Sequence, residues 1–125
     1  MTVAVRAFAG VLNDEDIAVV EDAGYFEAAS RYVPNLLNFF QQQMEYEGPM
    51  PDDPAMLAAI SVPVLALPGS DTKPYETASA RHLAGHVPNA TVHEMPGAGH
   101  ASLLTHPEAL AEALTDFFAS FQQPA

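Results

Sequence analysis

The sequence contains no cysteine among its 125 residues. A disulfide framework, a thiolate nucleophile and a cysteine-based zinc site are therefore all excluded. This absence is typical of a reducing compartment, so we expect a cytoplasmic protein.

Basic residues are scarce as well. Four Lys and Arg stand against 16 Asp and Glu, which gives a formal net charge of −12. Nucleic acids and anionic membranes are bound through basic patches, so we expect neither as a partner. No apolar run approaches the roughly 20 residues of a membrane span. The first residues lack a basic region ahead of a longer apolar stretch, so no signal peptide is predicted.

What the chain does contain is enough apolar residues, 49%, to bury a core. Its length is that of one domain or part of one. Helical spacing predicts an amphipathic helix over residues 1–12. Asn13 is expected to cap a second helix that stops at Gly24, and a third helical stretch breaks before Pro34 and continues to Tyr46. The aromatic and methionine side chains of residues 25–50 either pack in a core or line an apolar acyl pocket.

Gly48 to Pro54, with three prolines and a glycine in seven residues, cannot continue a helix. We therefore predict two parts, a helical cap-like segment over residues 1–50 and an α/β segment over residues 51–125. In the second part, a short helix begins at Pro54. Apolar runs then predict a strand buried on both faces at Val62–Leu67 and a shorter strand at Thr91–Met95, with a helix between them. A capping box at Thr105–Glu108 predicts the start of a C-terminal helix. This order predicts an α/β fold with two parallel strands.

An acidic residue follows the first predicted strand and a histidine follows the second. In open parallel sheets, ligands bind beyond the carboxyl ends of the strands, where Asp71 and His100 are expected to meet. A carboxylate that bonds one imidazole nitrogen fixes the tautomer and leaves the other nitrogen to act as a general base.

Five segments carry a resemblance to a known family: residues 60–71 (ISVPVLALPGSD), 87–90 (VPNA), 95–100 (MPGAGH), 106–110 (HPEAL) and the pair Phe117-Phe118. Together they resemble the C-terminal part of an α/β-hydrolase over roughly residues 57–121. The resemblance implies a triad in the order Ser, acid, His, with His100 as the base and Asp71 as its acid. It also implies that the preceding helices are a cap over the pocket, and it implies no cofactor and no metal.

Two departures from the family pattern affect these expectations. The family more often shows Gly-x-x-Asp where this chain has Gly69-Ser70-Asp71, and some members take their acid from an earlier strand. The chain also lacks Gly-x-Ser-x-Gly. Its serines are Ser30, Ser61, Ser70, Ser79, Ser102 and Ser120. We therefore expect the last half of a hydrolase of an ester or related small substrate, beginning inside the cap and scarcely active alone.

Two strands are marginal as an independent sheet, so a partner is expected: a second copy, or the missing N-terminal half. The alternative hypothesis is a non-catalytic remnant that oligomerises or binds a small apolar ligand. His82 and His86 have a spacing that can hold a metal, but no glutamate base lies between them. A solvated surface pair is the expected interpretation.

Overall fold

The N-terminal half of the chain is helical. The computed structural model describes residues 9–121. A 3-10 turn at Ala9–Val11 precedes α1 (Asp14–Asp22), α2 (Tyr25–Ser30) and α3 (Val33–Glu45). The helix predicted over residues 1–12 lies mostly outside the described residues.

Local capping chemistry sets the ends of α1. The Asn13 side chain accepts a hydrogen bond from the Asp16 backbone N–H at 2.8 Å, and the Asp16 carboxylate accepts one from the Asn13 N–H at 3.3 Å. This reciprocal pair is a capping box. Gly24 follows the helix with φ 70°, a left-handed conformation that favours glycine. The predicted cap at Asn13 and the predicted stop at Gly24 are both confirmed.

The C-terminal half alternates strands and helices. Its elements are α4 (Pro54–Ala58), β1 (Val64–Ala66), α5 (Pro74–His86), β2 (Ala90–Val92), α6 (Ser102–Thr105) and α7 (Pro107–Ala119). The capping box predicted at Thr105–Glu108 is wrong. No side chain caps α7, and the Thr105 hydroxyl instead donates to the Ala101 carbonyl at 3.3 Å, because Thr105 ends the separate helix α6.

The two strands are parallel, with Val64 opposite Ala90 and Ala66 opposite Val92. A further parallel bridge joins Gly69 to Met95. The described residues thus form a two-stranded parallel sheet with helices, and the predicted α/β class is confirmed. The regular strands are shorter than predicted.

The prediction that β1 is buried on both faces is wrong. All three of its residues are only half-buried. The strand contacts β2 and α5. A continuous apolar run is typical of a strand covered on both faces, so β1 presents more apolar surface than its described neighbours cover.

The principal apolar cluster lies among the first helices, where Val20, Phe26 and Val33 are buried. Leu12, Ile17, Ala29 and Ala101 pack against it. Farther along α3, the side chains are exposed: Phe39 by 53% and Met44 by 89%. The aromatic-rich segment therefore contributes to a core only at its N-terminal end. None of the helices described here is both long and apolar enough to cross a membrane.

Two glycines provide a matched stability test. A Cβ at Gly69 would lie 2.0 Å from the Ala98 carbonyl oxygen, whereas a Cβ at Gly85, within α5, would meet nothing within 4 Å. We expect Gly69→Ala to lower the free energy of unfolding by about 1–3 kcal/mol through overpacking. Gly85→Ala should raise it by about 0.5 kcal/mol through helix propensity. Urea denaturation followed by circular dichroism measures both, and equal midpoints for the two variants would contradict the close approach at Gly69.

Candidate active site

The loops that follow β1 and β2 lie against each other at one edge of the sheet. The Asp71 N–H donates to the Ala98 carbonyl at 2.9 Å, and the Gly97 N–H donates to the Ser70 hydroxyl oxygen at 2.7 Å. Gly69 makes this approach possible, because a side chain there would clash with Ala98. The prediction that both loops leave the same edge is confirmed.

His100 is held by a carboxylate on one nitrogen only. Its Nδ1 lies 2.9 Å from each carboxylate oxygen of Glu76. A carboxylate accepts hydrogen bonds, so this contact favours the tautomer with the proton on Nδ1. Within residues 9–121, Nε2 makes no hydrogen bond, and the side chain is 52% exposed. Nε2 is therefore open to an approaching hydroxyl group, as a general base requires.

Glu76 lies in the first turn of α5, where the positive end of the helix stabilises a negative charge. The Thr72 hydroxyl also donates to this carboxylate. The side chain is only 18% exposed, so it is better shielded from water than its histidine partner. Sequence reasoning missed Glu76. The available signal was its place in a helix that starts at Pro74, directly after the loop that carries Asp71.

Asp71 lies at the same edge but does not orient His100. Its carboxylate accepts a hydrogen bond from the Asn13 side-chain amide at 3.0 Å, and its backbone carbonyl accepts a second from the same amide at 3.1 Å. Where an Asp71–His100 pairing was expected, the structure has Glu76 against His100, and the Asp71 carboxylate bonds Asn13. The role of Asp71 as the triad acid stays a prediction, and this geometry does not support it.

Asp16 is the second residue that sequence reasoning missed. Its side chain is fully buried, and its Oδ2 accepts a hydrogen bond from the backbone N–H of His100 at 2.8 Å. Its other oxygen, Oδ1, is buried, and no group among residues 9–121 forms a hydrogen bond with it. The sequence indicated only a helix-start residue, since nothing local connects position 16 with position 100.

An apolar cavity of about 710 Å³ adjoins His100. The helices of the first half and α6 provide most of its lining, which includes Leu12, Phe26, Tyr32, Leu36 and Leu104. Because Tyr32 is 65% exposed, the cavity opens to solvent. His100 and the apolar cavity thus lie side by side.

The pair His82 and His86 has the character of a surface feature. The Nε2 of His82 lies 2.8 Å from the Asp52 carbonyl oxygen, and the Nδ1 of His86 lies 2.9 Å from the His82 carbonyl oxygen. In the described part of the chain, no group of three or more metal-binding side chains comes together.

A family model described as the alpha/beta hydrolase family matches residues 3–113. The chain belongs to the α/β-hydrolase family. The match extends beyond the resemblance seen over residues 57–121, because it includes the helices of the first half, where no distinctive motif was found. No curated protein and no solved structure gave a match.

Family membership agrees with the chain order of the observed pair. In α/β-hydrolases the acid precedes the histidine. Glu76 and Asp71 both precede His100, so chain order alone does not choose between them. Of these two residues, Glu76 is the one whose carboxylate lies against Nδ1 of His100.

The Glu76–His100 contact predicts the tautomer of the imidazole. In the ¹⁵N spectrum of the His100 ring, we expect the Nδ1–H form to dominate in the wild-type chain and to lose that dominance in Glu76→Ala. Asp71→Ala is the matched control and should leave the ring signals unchanged, because Asp71 bonds Asn13 instead. The reverse pattern would assign the acid to Asp71.

Proposed function

We propose that this α/β-hydrolase chain supplies the general base, His100, and its orienting acid, Glu76, for hydrolysis of an ester or related small substrate. One observation carries the proposal: Nδ1 of His100 is bonded to a shielded carboxylate, while Nε2, unbonded by any described residue, lies beside an apolar cavity. Base, acid and substrate space are the parts that acyl transfer by a serine hydrolase requires from this half of the fold.

In the proposed reaction, Nε2 of His100 takes the proton of a serine hydroxyl as its oxygen attacks the ester carbonyl. Glu76 stabilises the imidazolium that forms, and His100 then returns the proton to the leaving alcohol. Water repeats the sequence to release the acid. The nucleophilic serine is proposed to lie outside these 125 residues, because the sequence contains no Gly-x-Ser-x-Gly.

The cavity supports an apolar substrate portion. Its volume of about 710 Å³ falls within the range of small-molecule sites, roughly 300–1,000 Å³. Its lining is dominated by aliphatic and aromatic side chains. A short acyl chain or a small apolar alcohol fits this chemistry better than a charged group does.

A nucleophile-bearing segment is the proposed partner. Two strands rarely form a stable sheet alone, and seventeen large apolar side chains of the described residues are exposed. A second copy of this chain would cover apolar surface but would bring no nucleophile. A segment that adds strands beside β1 and carries the serine would do both.

The coding DNA upstream of Met1 provides the test of this proposal. We expect an in-frame Gly-x-Ser-x-Gly there, and we expect the product of the longer reading frame to hydrolyse a short-chain chromogenic ester. His100→Ala should lower kcat by at least about 10³-fold, and Glu76→Ala should lower it strongly too. Asp71→Ala, which removes the other acidic side chain at this edge of the sheet, is the control for the effect of Glu76→Ala on kcat.

The 125-residue chain alone should show no turnover that depends on His100. Turnover by the isolated chain that His100→Ala abolishes would reveal a nucleophile within it and contradict the proposed outside serine. A stop codon just upstream, with the chain and its His100→Ala variant equally inactive, would overturn the hydrolase proposal.

The second candidate function is binding of a small apolar ligand without catalysis, which the open apolar cavity favours. We expect a medium-chain fatty acid ester to shift the amide signals of cavity residues such as Ala29. Ala29→Leu should weaken this binding by filling the cavity, whereas Ala111→Leu, on the exposed face of α7, should not. Ester binding that is equal in both variants would place the ligand elsewhere.

A further inference from the structure

We propose that Asp16 is a positioning residue for His100, and that its buried Oδ2 holds the histidine loop so that the imidazole reaches Glu76. The inference rests on the proposed role of His100 as the base. It concerns a different element, the first turn of α1, which lies 84 positions before the histidine.

The first observation is that one helical turn binds both loops of the site. Asp16 accepts from the His100 N–H at 2.8 Å, and Asn13 donates to the backbone carbonyl and the carboxylate of Asp71 at 3.1 and 3.0 Å. The capping box joins Asn13 to Asp16. The loop after β1 and the loop after β2 are therefore fixed to the same rigid turn.

The second observation is the burial of Asp16. Its carboxylate is fully buried, and Oδ1 has no hydrogen-bond partner among the described residues. Burial of such a group costs free energy, because the lost hydration of that oxygen is not compensated. A capping box does not need such burial, since cap side chains are commonly solvated at helix ends. The hydrogen bond to the His100 N–H explains why Asp16 is buried beneath the histidine loop.

The third observation is the fit of Gly99 against this turn. A Cβ at Gly99 would lie 2.2 Å from Oδ2 of Asp16 and 2.5 Å from the Asn13 side-chain nitrogen. Because Gly99 has no side chain, the Asp16 carboxylate can approach the backbone of the histidine loop. Any larger residue at this position would displace the bond to His100.

The acceptor oxygen of Asp16, and not its charge at the start of the helix, is what holds the His100 loop. Asp16→Asn keeps an oxygen in the same place, whereas Asp16→Ala removes it. Asp14→Ala is the matched control, because Asp14 occupies the same first turn but is exposed.

The experiment measures two signals of His100 in the isolated chain, amide hydrogen exchange and the ¹⁵N tautomer signature of the ring. In Asp16→Ala we expect exchange at the His100 amide to accelerate by about tenfold or more. The Nδ1–H ring signature should be lost at the same time. Asp16→Asn and Asp14→Ala should retain both signals. Gly99→Ala should reproduce the loss with Asp16 intact, and Gly85→Ala should not.

A helix cap that serves stability alone would change the unfolding midpoint without changing the ring signature of the folded chain. A wild-type ring signature in Asp16→Ala therefore overturns the proposal. If Asp16→Ala does not fold, Asp16→Leu fills the same buried space without an oxygen and is read in the same way. If neither folds, the carboxylate is a requirement of the fold and the proposal is also overturned. None of these signals depends on ester hydrolysis, so an inactive enzyme would leave this result standing.

Discussion

The parallel pairing of β1 and β2 is the constraint on which the rest of the site depends. Strands that run in the same direction release their following loops at the same edge of the sheet. At that edge, Gly69 brings one backbone against Ala98 of the other with no side chain between them. This contact between main chains brings His100 within reach of the first turn of α5, where Glu76 lies. The site thus depends on the parallel direction of the two strands and on the absence of a side chain at Gly69.

Much of this arrangement could be predicted from the sequence, because its signals are local. Asn13 and Gly24 mark helix ends through their own backbone and near neighbours. The two apolar runs were sufficient to predict a parallel pair. The carboxylate that bonds His100 could not be predicted in this way. Asp71 is closer to the strand end, but only the three-dimensional path of the loop shows that Asn13 engages it and leaves Glu76 for His100. The exposure of β1 was also beyond prediction, since burial depends on what packs against a strand and not on the strand's own composition.

One face of α1 contacts both the loop that carries His100 and the apolar cavity. Asp16 and Val20 are four positions apart and therefore lie on the same side of the helix. Asp16 contacts the histidine loop, and Val20 belongs to both the apolar cluster and the cavity lining. The same helix that lines the cavity also accepts a hydrogen bond from the backbone of His100.

The bond from Asp16 to His100 also has a consequence for how the molecule forms. It closes a loop of 84 positions. Closing such a loop costs conformational entropy, and the contacts that offset this cost form only when the helical half has docked onto the strand-containing half. Long-range contacts of this kind slow folding relative to helical turns, which form from neighbouring residues. The histidine loop therefore takes its final shape late, after its supporting elements exist. A chain whose two halves have not docked would therefore lack the site even where its helices and strands have begun to form.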